Sequence, residues 1–205
     1  MRIAIYGAGG HGKVVWDILR VSGHSVVGFV DTGEVPPELL GLPVVKQPSD
    51  LPEFDGMVIA VGQNRTRQRL FERMQSEGYL LVNAIHPSAV LSERLTLGVG
   101  VVIAAGVIVN VDGEIGDNVI LNTGSRVDHD CRIGAHVHVA PGTVLGGNVA
   151  VGEGAFLGIG TRAIPGMRIG AWATCGAGSV VIREVAPDST VVGVPARPIR
   201  RATPT

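Results

Sequence analysis

Residues 115–134 of the chain read IGDNVILNTGSRVDHDCRIG and place an aliphatic residue at every sixth position. The same spacing continues without an insertion on both sides of this stretch. Glycine, asparagine or aspartate follows most of the repeated positions. Sixteen positions share the spacing: Leu91, Leu97, Ile103, Val109, Ile115, Leu121, Val127, Ile133, Val139, Leu145, Val151, Leu157, Ala163, Ile169, Cys175 and Val181.

This six-residue period excludes an α-helix, because each glycine in a helix costs about 1 kcal/mol relative to alanine. It predicts a parallel β-helix, in which three hexads form one triangular coil of roughly 18 residues and coils stack about 4.8 Å apart. Sixteen hexads then give about five coils, with the repeated side chains inside. Cys131 and Cys175 both fall on interior positions more than two coils apart, so we expect no disulfide.

Residues 1–82 follow a different pattern, in which short apolar runs alternate with helical periodicity. Strands are predicted at residues 2–6, 25–30 and 57–61, and helices at about 12–21 and 64–77. This alternation is typical of a Rossmann-like α/β unit with a parallel sheet. The chain therefore divides into an α/β domain, residues 1–82, and a β-helix domain with a C-terminal tail, residues 83–205.

Composition limits the classes of partner. The formal net charge is −1 and the pI about 6.6, so no basic surface indicates binding to nucleic acid or to an anionic membrane. The sequence opens directly on a strand-like segment, without the pattern of a secretory signal, and contains no long apolar run. We therefore expect a cytoplasmic protein with no membrane insertion, whose partners are small molecules and other protein chains.

Four motifs carry a family resemblance: YGAGGHGKVV at residues 6–15, IAVGQNR at 59–65, DHD at 128–130 and VGVPAR at 192–197. With the hexads, they make the chain resemble hexapeptide-repeat acetyltransferases of nucleotide-linked sugars. That group contains UDP-4-amino-sugar N-acetyltransferases and sialic-acid O-acetyltransferase-like proteins. The resemblance implies a left-handed β-helix, acetyl-CoA as co-substrate, no metal, and a homotrimer with active sites between subunits.

The glycine-rich turn is the candidate nucleotide site. Its G-x-G-x-x-G pattern follows a strand and precedes a helix, which is typical of NAD binding, but residues 1–82 supply only one of the two halves that a dinucleotide needs. We therefore favour the phosphates of a nucleotide-sugar, bound at the helix N-terminus, over NAD or a purely structural turn. The candidate substrate-binding residues are Gly7, Gly9, Gly10, His11, Gly12, Lys13, Asp31, Thr32, Gly62, Asn64 and Arg65.

At the next strand end the related enzymes carry two adjacent aspartates, whereas this chain has Asp31 followed by Thr32. Asp31 is placed to hold ribose hydroxyls. Because Thr32 departs from the family pattern, the sequence does not predict which base the nucleotide carries.

His129 and Asp130 match the histidine–acid pair that supplies the general base in the resembled family. An amine or hydroxyl that attacks a thioester must lose a proton, and an imidazole with a pKa near 6.5 accepts it at neutral pH. A carboxylate on the other ring nitrogen fixes the tautomer. Neighbouring residues in a flat strand point to opposite faces, so the pair works only at a corner or a bulge.

Further candidate residues follow from coil geometry and resemblance. Gly147 lies one coil beyond His129, where its N–H would face the thioester oxygen. By resemblance, Ile159 and Ala177 follow the pantetheine arm of acetyl-CoA and Pro195 flanks its adenine end. His138 lies half a coil from His129, so we expect a neighbouring subunit's His138 to complete the site, with Asn122 as a further polar contact.

Other functions stay open at this point. His136 and His138 with a third histidine would suit a zinc site of the γ-carbonic-anhydrase type, although that leaves residues 1–82 without a role. Acetylation of a sugar hydroxyl, of the sialic-acid type, is a close rival to acetylation of an amine. A non-catalytic scaffold that binds nucleotide-sugars is the remaining alternative.

Overall fold

A computed structural model describes residues 1–199. The α/β domain is a five-stranded sheet in the order β3-β4-β2-β1-β5, parallel except between β3 and β4. Its elements are β1 (Arg2–Tyr6), α1 (Gly10–Val21), β2 (Ser25–Val30), β3 (Glu38–Leu39), β4 (Leu42–Val45), a 3-10 turn (Pro48–Asp50), β5 (Gly56–Ile59) and α2 (Asn64–Ser76). The strands agree with the prediction within two residues, and α1 starts inside the glycine turn.

The rest of the described chain is a three-sided prism of short strands. They are β6 (Ala84–Ile85), β7 (Val90–Leu91), β8 (Thr96–Leu97), β9 (Val102–Ile103), β10 (Ile108–Val109), β11 (Glu114–Ile115), β12 (Ile120–Leu121), β13 (Arg126–Val127), β14 (Arg132–Ile133), β15 (His138–Val139), β16 (Val144–Leu145), β17 (Ala150–Val151), β18 (Phe156–Leu157), β19 (Arg162–Ala163), β20 (Arg168–Ile169), β21 (Thr174–Cys175), β22 (Val180–Val181), β23 (Thr190–Val192) and β24 (Arg197–Pro198).

Every third strand stacks into the same face, with partners eighteen residues apart such as Ile115 and Ile133. The first face holds β6, β9, β12, β15, β18, β21 and β23, with β24 added antiparallel; the second holds β7, β10, β13, β16, β19 and β22; the third holds β8, β11, β14, β17 and β20. The predicted fold class, a Rossmann-like half-domain followed by a parallel β-helix, is confirmed. The sixteen predicted hexads are the strands β7 to β22.

The prism is longer than the hexads alone indicate. Ile85 pairs with Ile103, which adds a strand before the first predicted repeat. At the other end Thr174 pairs with Thr190, sixteen residues away instead of eighteen, so a shortened coil closes the prism. The repeated aliphatic side chains fill the interior, and both cysteines are buried and free.

The α/β domain packs on the first face. Its buried residues Ile5, Val15 and Ile18 form one hydrophobic cluster with Val102 and Ile120 of the prism. Hydrophobic burial on this scale fixes the two domains as one packed unit. Among the described residues, no helix has the length and apolar character needed to cross a membrane.

Candidate active site

The prism has three corners, each a column of turns joined by backbone hydrogen bonds. We name them by their position. The His129 corner, between the second and third faces, contains Val111, His129, Gly147 and Pro165; the Ile159 corner, between the first and second faces, contains Thr123, Pro141, Ile159 and Ala177; the α2 corner, between the third and first faces, contains Asp117, Ala135, Glu153 and Ala171.

The His129–Asp130 pair lies in a turn, as its chemistry requires. Asp130 adopts a left-handed backbone conformation with φ 57°, which lets both side chains leave the corner on the same side. His129 Nδ1 donates to Asp130 Oδ2 at 2.7 Å. The flat-strand arrangement, which would have separated the two side chains, is therefore avoided by this turn.

The electrostatics of this corner suit a general base. The hydrogen bond that His129 donates to Asp130 is the main cause that raises the pKa of His129 above its ordinary value, and the charge of Asp128 adds to it. Because Nδ1 donates to a carboxylate, the neutral imidazole carries its free lone pair on Nε2. About half of each side chain is exposed, so the pair is accessible from solvent.

Because Gly147 has no side chain, the imidazole of His129 can lie against its backbone. A Cβ at this position would lie 2.5 Å from both Cε1 and Nε2 of His129. No backbone carbonyl within residues 1–199 accepts the N–H of Gly147. The ring nitrogen and an unused backbone donor therefore lie side by side, as a base and an oxyanion donor would.

His138, Asn122 and His11 form a second cluster, on the first face beneath the α/β domain. His138 Nδ1 donates to the carbonyl of Gly62 at 3.3 Å, and Asn122 Nδ2 lies 3.2 Å from His138 Nε2. The His11 ring centroid is 6.3 Å from that of His138. Burial, with a smaller contribution from the charge of Arg67, lowers the pKa of both histidines to about 4, so both are neutral at pH 7.

The two clusters occupy different parts of the prism. His138 lies on the first face, whereas His129 lies at the corner that joins the second and third faces. Ile159, 62% exposed, and Ala177 lie at yet another corner, and Pro195 is exposed in the tail. Within one chain, the structure does not bring His129 together with His138 or with the predicted pantetheine residues.

The glycines of the nucleotide turn have separate roles. A Cβ on Gly7 would lie 2.6 Å from the carbonyl oxygen of Ala60, and a Cβ on Gly12 would collide with the carbonyl of Gly7. Gly9 and Gly10 face open space at the start of α1. Gly7 and Gly12 are thus needed for close packing, while Gly9 and Gly10 leave the helix N-terminus open to a ligand.

Asp31 ties this turn to the end of the second strand. Its two carboxylate oxygens accept hydrogen bonds from the N–H groups of Ala8 and Gly33, each at 2.8 Å. Each carboxylate oxygen keeps a further lone pair, so the contact of Asp31 with ribose hydroxyls stays a prediction. Thr32 and Lys13 are exposed beside the turn.

The residues after β5 line a groove against the prism. Its volume is about 440 Å³, and its walls are Gly62, Gln63, Asn64, Arg65, Gly154, Phe156, Trp172 and Thr174. The Arg65 guanidinium lies 4.2 Å from the centre of the Trp172 ring and 3.5 Å from Asp188. The Asn64 amide donates to the carbonyls of Gly154 and Ala155, so this side chain holds the domains together.

Arg67 is the important residue that the sequence analysis did not identify. It is fully buried, and its guanidinium donates to the carbonyls of Asn118, His136, Val61 and Gly62 and to Asn64 Oδ1. Burial lowers its pKa to about 9, which still leaves it charged at pH 7. The available signal was its spacing from Phe71 and Met74, which places it on the buried side of α2.

The zinc alternative finds no donor set in the described part of the chain. No group of three or more histidine, cysteine, aspartate or glutamate side chains is arranged to hold a metal ion there. His136 Nδ1 instead lies 2.8 Å from Asn118 Nδ2, and its ring packs edge-on against Phe71.

Comparison with known proteins identifies the family. The PglD N-terminal domain model matches residues 2–74, and the bacterial transferase hexapeptide (six repeats) model matches residues 112–147. A solved structure of GDP-perosamine N-acetyltransferase from Caulobacter crescentus, a histidine-to-alanine variant with CoA and GDP-perosamine, is 45% identical. It matches over 98% of both chains with a TM-score of 0.94. The chain belongs to the hexapeptide-repeat N-acetyltransferases of nucleotide-linked sugars.

Other acetyltransferases are similar over different lengths. The acetyltransferase domain of PglB from Neisseria gonorrhoeae, in complex with acetyl coenzyme A, is 35% identical with a TM-score of 0.92, covering 97% of this chain and 98% of that one. UDP-N-acetylbacillosamine N-acetyltransferase from Bacillus subtilis is 38% identical over 114 residues, 50% of this chain. The chain spans about half the length of that curated relative, 51%.

Proposed function

We propose that this protein transfers the acetyl group of acetyl-CoA to the amino group of a sugar linked to a nucleoside diphosphate. The observation that carries the proposal is the His129–Asp130 pair, 2.7 Å apart, with its imidazole over the bare backbone of Gly147. An oriented base beside an unused backbone donor is what acyl transfer to an amine requires. Membership of an N-acetyltransferase family supports acetyl-CoA as the acetyl donor.

The chemistry proceeds by direct attack. The sugar amine attacks the thioester carbonyl, and His129 Nε2 accepts the proton that the amine loses. The Gly147 N–H donates to the oxyanion of the tetrahedral intermediate, which then collapses and expels the CoA thiolate. A cysteine acyl-enzyme is disfavoured, because the Cys131 thiol points inward, donates to the Gly146 carbonyl and has a pKa raised by burial.

The nucleotide part of the substrate would lie at the N-terminus of α1. Gly9 is the N-cap of α1 and Gly10 its first residue, so their N–H groups have no partner within the helix and are suited to phosphate oxygens, and the positions of their absent side chains are open space. Lys13, exposed on the same turn, adds a positive charge. The groove beside Gly62 and Arg65 leads from the α/β domain to the first face and offers room for the sugar.

We propose that the complete site forms between the subunits of a homotrimer. His129 lies at one edge of the second face, and Ile159 and Ala177 lie at its other edge. Three copies whose second faces pack together around one axis would therefore bring the Ile159 corner of one copy to His129 of the next. The first face is covered by the α/β domain.

The chemistry of the second face supports this packing. Its outward row consists of Val90, Ile108, Arg126, Val144, Arg162 and Val180, which is apolar apart from two arginines. The third face carries charged pairs instead, such as Glu114 and Arg132 at 3.3 Å. An apolar face suits burial against a second copy, and a charged face suits solvent.

Thiol release tests the function. Purified protein with acetyl-CoA and a panel of GDP- and UDP-linked 4-amino sugars is expected to release CoA thiol and to yield an N-acetylated product by mass spectrometry. The matching 4-hydroxy sugars test O-acetylation. His129→Ala should lower kcat by roughly 10²- to 10⁴-fold. Unchanged turnover in this variant, or no thiol release with any sugar, contradicts the proposal.

A further inference from the structure

A second carboxylate supports the catalytic turn from the other side of His129. Asp128 Oδ1 accepts a hydrogen bond from the backbone N–H of His129 at 2.8 Å and another from Asn110 Nδ2 at 2.6 Å. Neither contact belongs to the His129–Asp130 pair. The base is therefore flanked by two acids, one bound to its ring and one bound to its backbone.

Asn110 anchors this arrangement to the coil below. It lies eighteen residues before Asp128, and its own N–H donates to the carbonyl of Val127 at 2.9 Å. The Asp128 carboxylate is thus held by a neighbouring strand, and it holds the backbone from which the imidazole projects. Since the ring lies over Gly147, a small movement of the His129 backbone would displace Nε2 from that position.

The charges around the imidazole come mainly from its own turn. Asp128 and Asp130 are the acids that raise the pKa of His129. The coil above contributes Gly147 and Asn148, which carry no charge. The coil below contributes Asp112, whose carboxylate is ion-paired with Arg94 at 2.7 Å.

We propose that Asp128 is a positioning residue for the general base: with Asn110, it fixes the backbone of His129 so that Nε2 lies over Gly147. As a consequence of this placement, the negative charge of Asp128 favours protonation of the imidazole. The catalytic consequence rests on the proposed function. The placement and titration of His129 do not, because both can be measured without substrate.

The primary test is the titration of His129 by NMR in the full-length protein, with His129→Ala identifying its signals. Asp128→Asn keeps an oxygen that accepts the same hydrogen bonds but removes the charge, so the pKa of His129 should fall. Asp112→Asn is the matched control at the same corner, where asparagine tolerates the φ of 58°. If the pKa of His129 is unchanged in Asp128→Asn, or shifts equally in Asp112→Asn, the claim that the Asp128 charge favours protonation of the imidazole is wrong.

Placement is tested with Asp128→Ala, which removes both hydrogen bonds. The nuclear Overhauser contact between His129 Hε1 and the Gly147 Hα protons should weaken, and kcat should fall about tenfold while KM for both substrates changes by less than about twofold. A retained contact with unchanged kcat would overturn the positioning role, as would a lowered melting temperature with kcat intact. If every variant and the parent lack turnover, the acetyltransferase proposal fails, and the NMR contact and pKa still decide the role of Asp128.

Discussion

Gly147 is the residue at which the site depends on the absence of a side chain. Gly147→Ala would place a Cβ 2.5 Å from Cε1 and Nε2 of His129, so the ring must move. We expect kcat to fall about 10²-fold, because a misplaced base loses most of its effect. Steady-state kinetics and a melting curve check that the loss is catalytic and not structural.

A double-mutant cycle sharpens this expectation. If Gly147→Ala acts by displacing the ring, it should have little further effect in a chain that already carries His129→Ala. Additive losses in the double variant would instead mean that the backbone donor of Gly147, and not the room for the imidazole, carries the effect.

In the proposed mechanism, Asp130 influences the pH range over which His129 acts as the base. The hydrogen bond that His129 donates to Asp130 is the main cause of the raised pKa of His129, and only the neutral imidazole can accept a proton. Activity should therefore rise with pH through the pKa of His129. In Asp130→Asn that pKa falls, so the acidic limb of kcat/KM should move to lower pH, while the maximum also drops because the tautomer is less well fixed.

A pH–rate profile of both proteins checks the direction of this shift. Asparagine is a suitable replacement because it tolerates the left-handed conformation at position 130, so the turn should persist. If the acidic limb of kcat/KM in Asp130→Asn stays in place or moves to higher pH, the role assigned to Asp130 is wrong.

At the scale of elements, α2 holds the two domains together through its side-chain hydrogen bonds. Arg67 of α2 donates to carbonyls of both domains and is completely buried. Arg67→Met would leave those carbonyls without donors inside the protein, which costs about 3 kcal/mol or more. We expect a lower midpoint of urea unfolding. We also expect a higher KM for the nucleotide-sugar, because the segment at Gly62 loses the hydrogen bond that Arg67 donates to it.

Arg69→Met, on the exposed side of the same helix, is the matched control. Among residues 1–199, its guanidinium donates only to Arg65 and Thr66 of α2 itself. Equal midpoints for the two variants would show that the buried guanidinium does not hold the domains together.

The sequence predicted the prism well because each hexad is a local signal. An inward aliphatic residue followed by a turn specifies one strand, and stacking repeats the same interaction, so the strands from β7 to β22 could be placed individually. The His129–Asp130 pair was assigned by family resemblance, and the need for its two side chains to act together then predicted a corner or a bulge. The packing of the α/β domain on the prism could not be predicted from the sequence. It depends on contacts such as those of Arg67 with Asn118 and His136, which no local periodicity encodes.

At the scale of the whole molecule, the separation of the two polar clusters leads to a test of assembly. In one chain, His129 lies at a corner away from the first face, where His138 and Asn122 lie. If the second faces of three copies pack together, the His129 corner of one copy meets the Ile159 corner of the next, beside that copy's first face. Each site would then take its base from one chain and its His138 from another.

Mixed trimers of His129→Ala and His138→Ala chains should therefore regain activity that neither homotrimer has. Tandem purification keeps only mixed trimers, and each of these has one complete site in three, about one third of the parent's sites, because a site needs an intact His129 from one chain and an intact His138 from its neighbour. Co-expression with two different tags, tandem purification and thiol-release kinetics measure this recovery, and melting curves of both homotrimers exclude simple unfolding. If the purified mixtures stay as inactive as their parents, both histidines belong to one chain's site or act separately, and the proposed assembly is wrong.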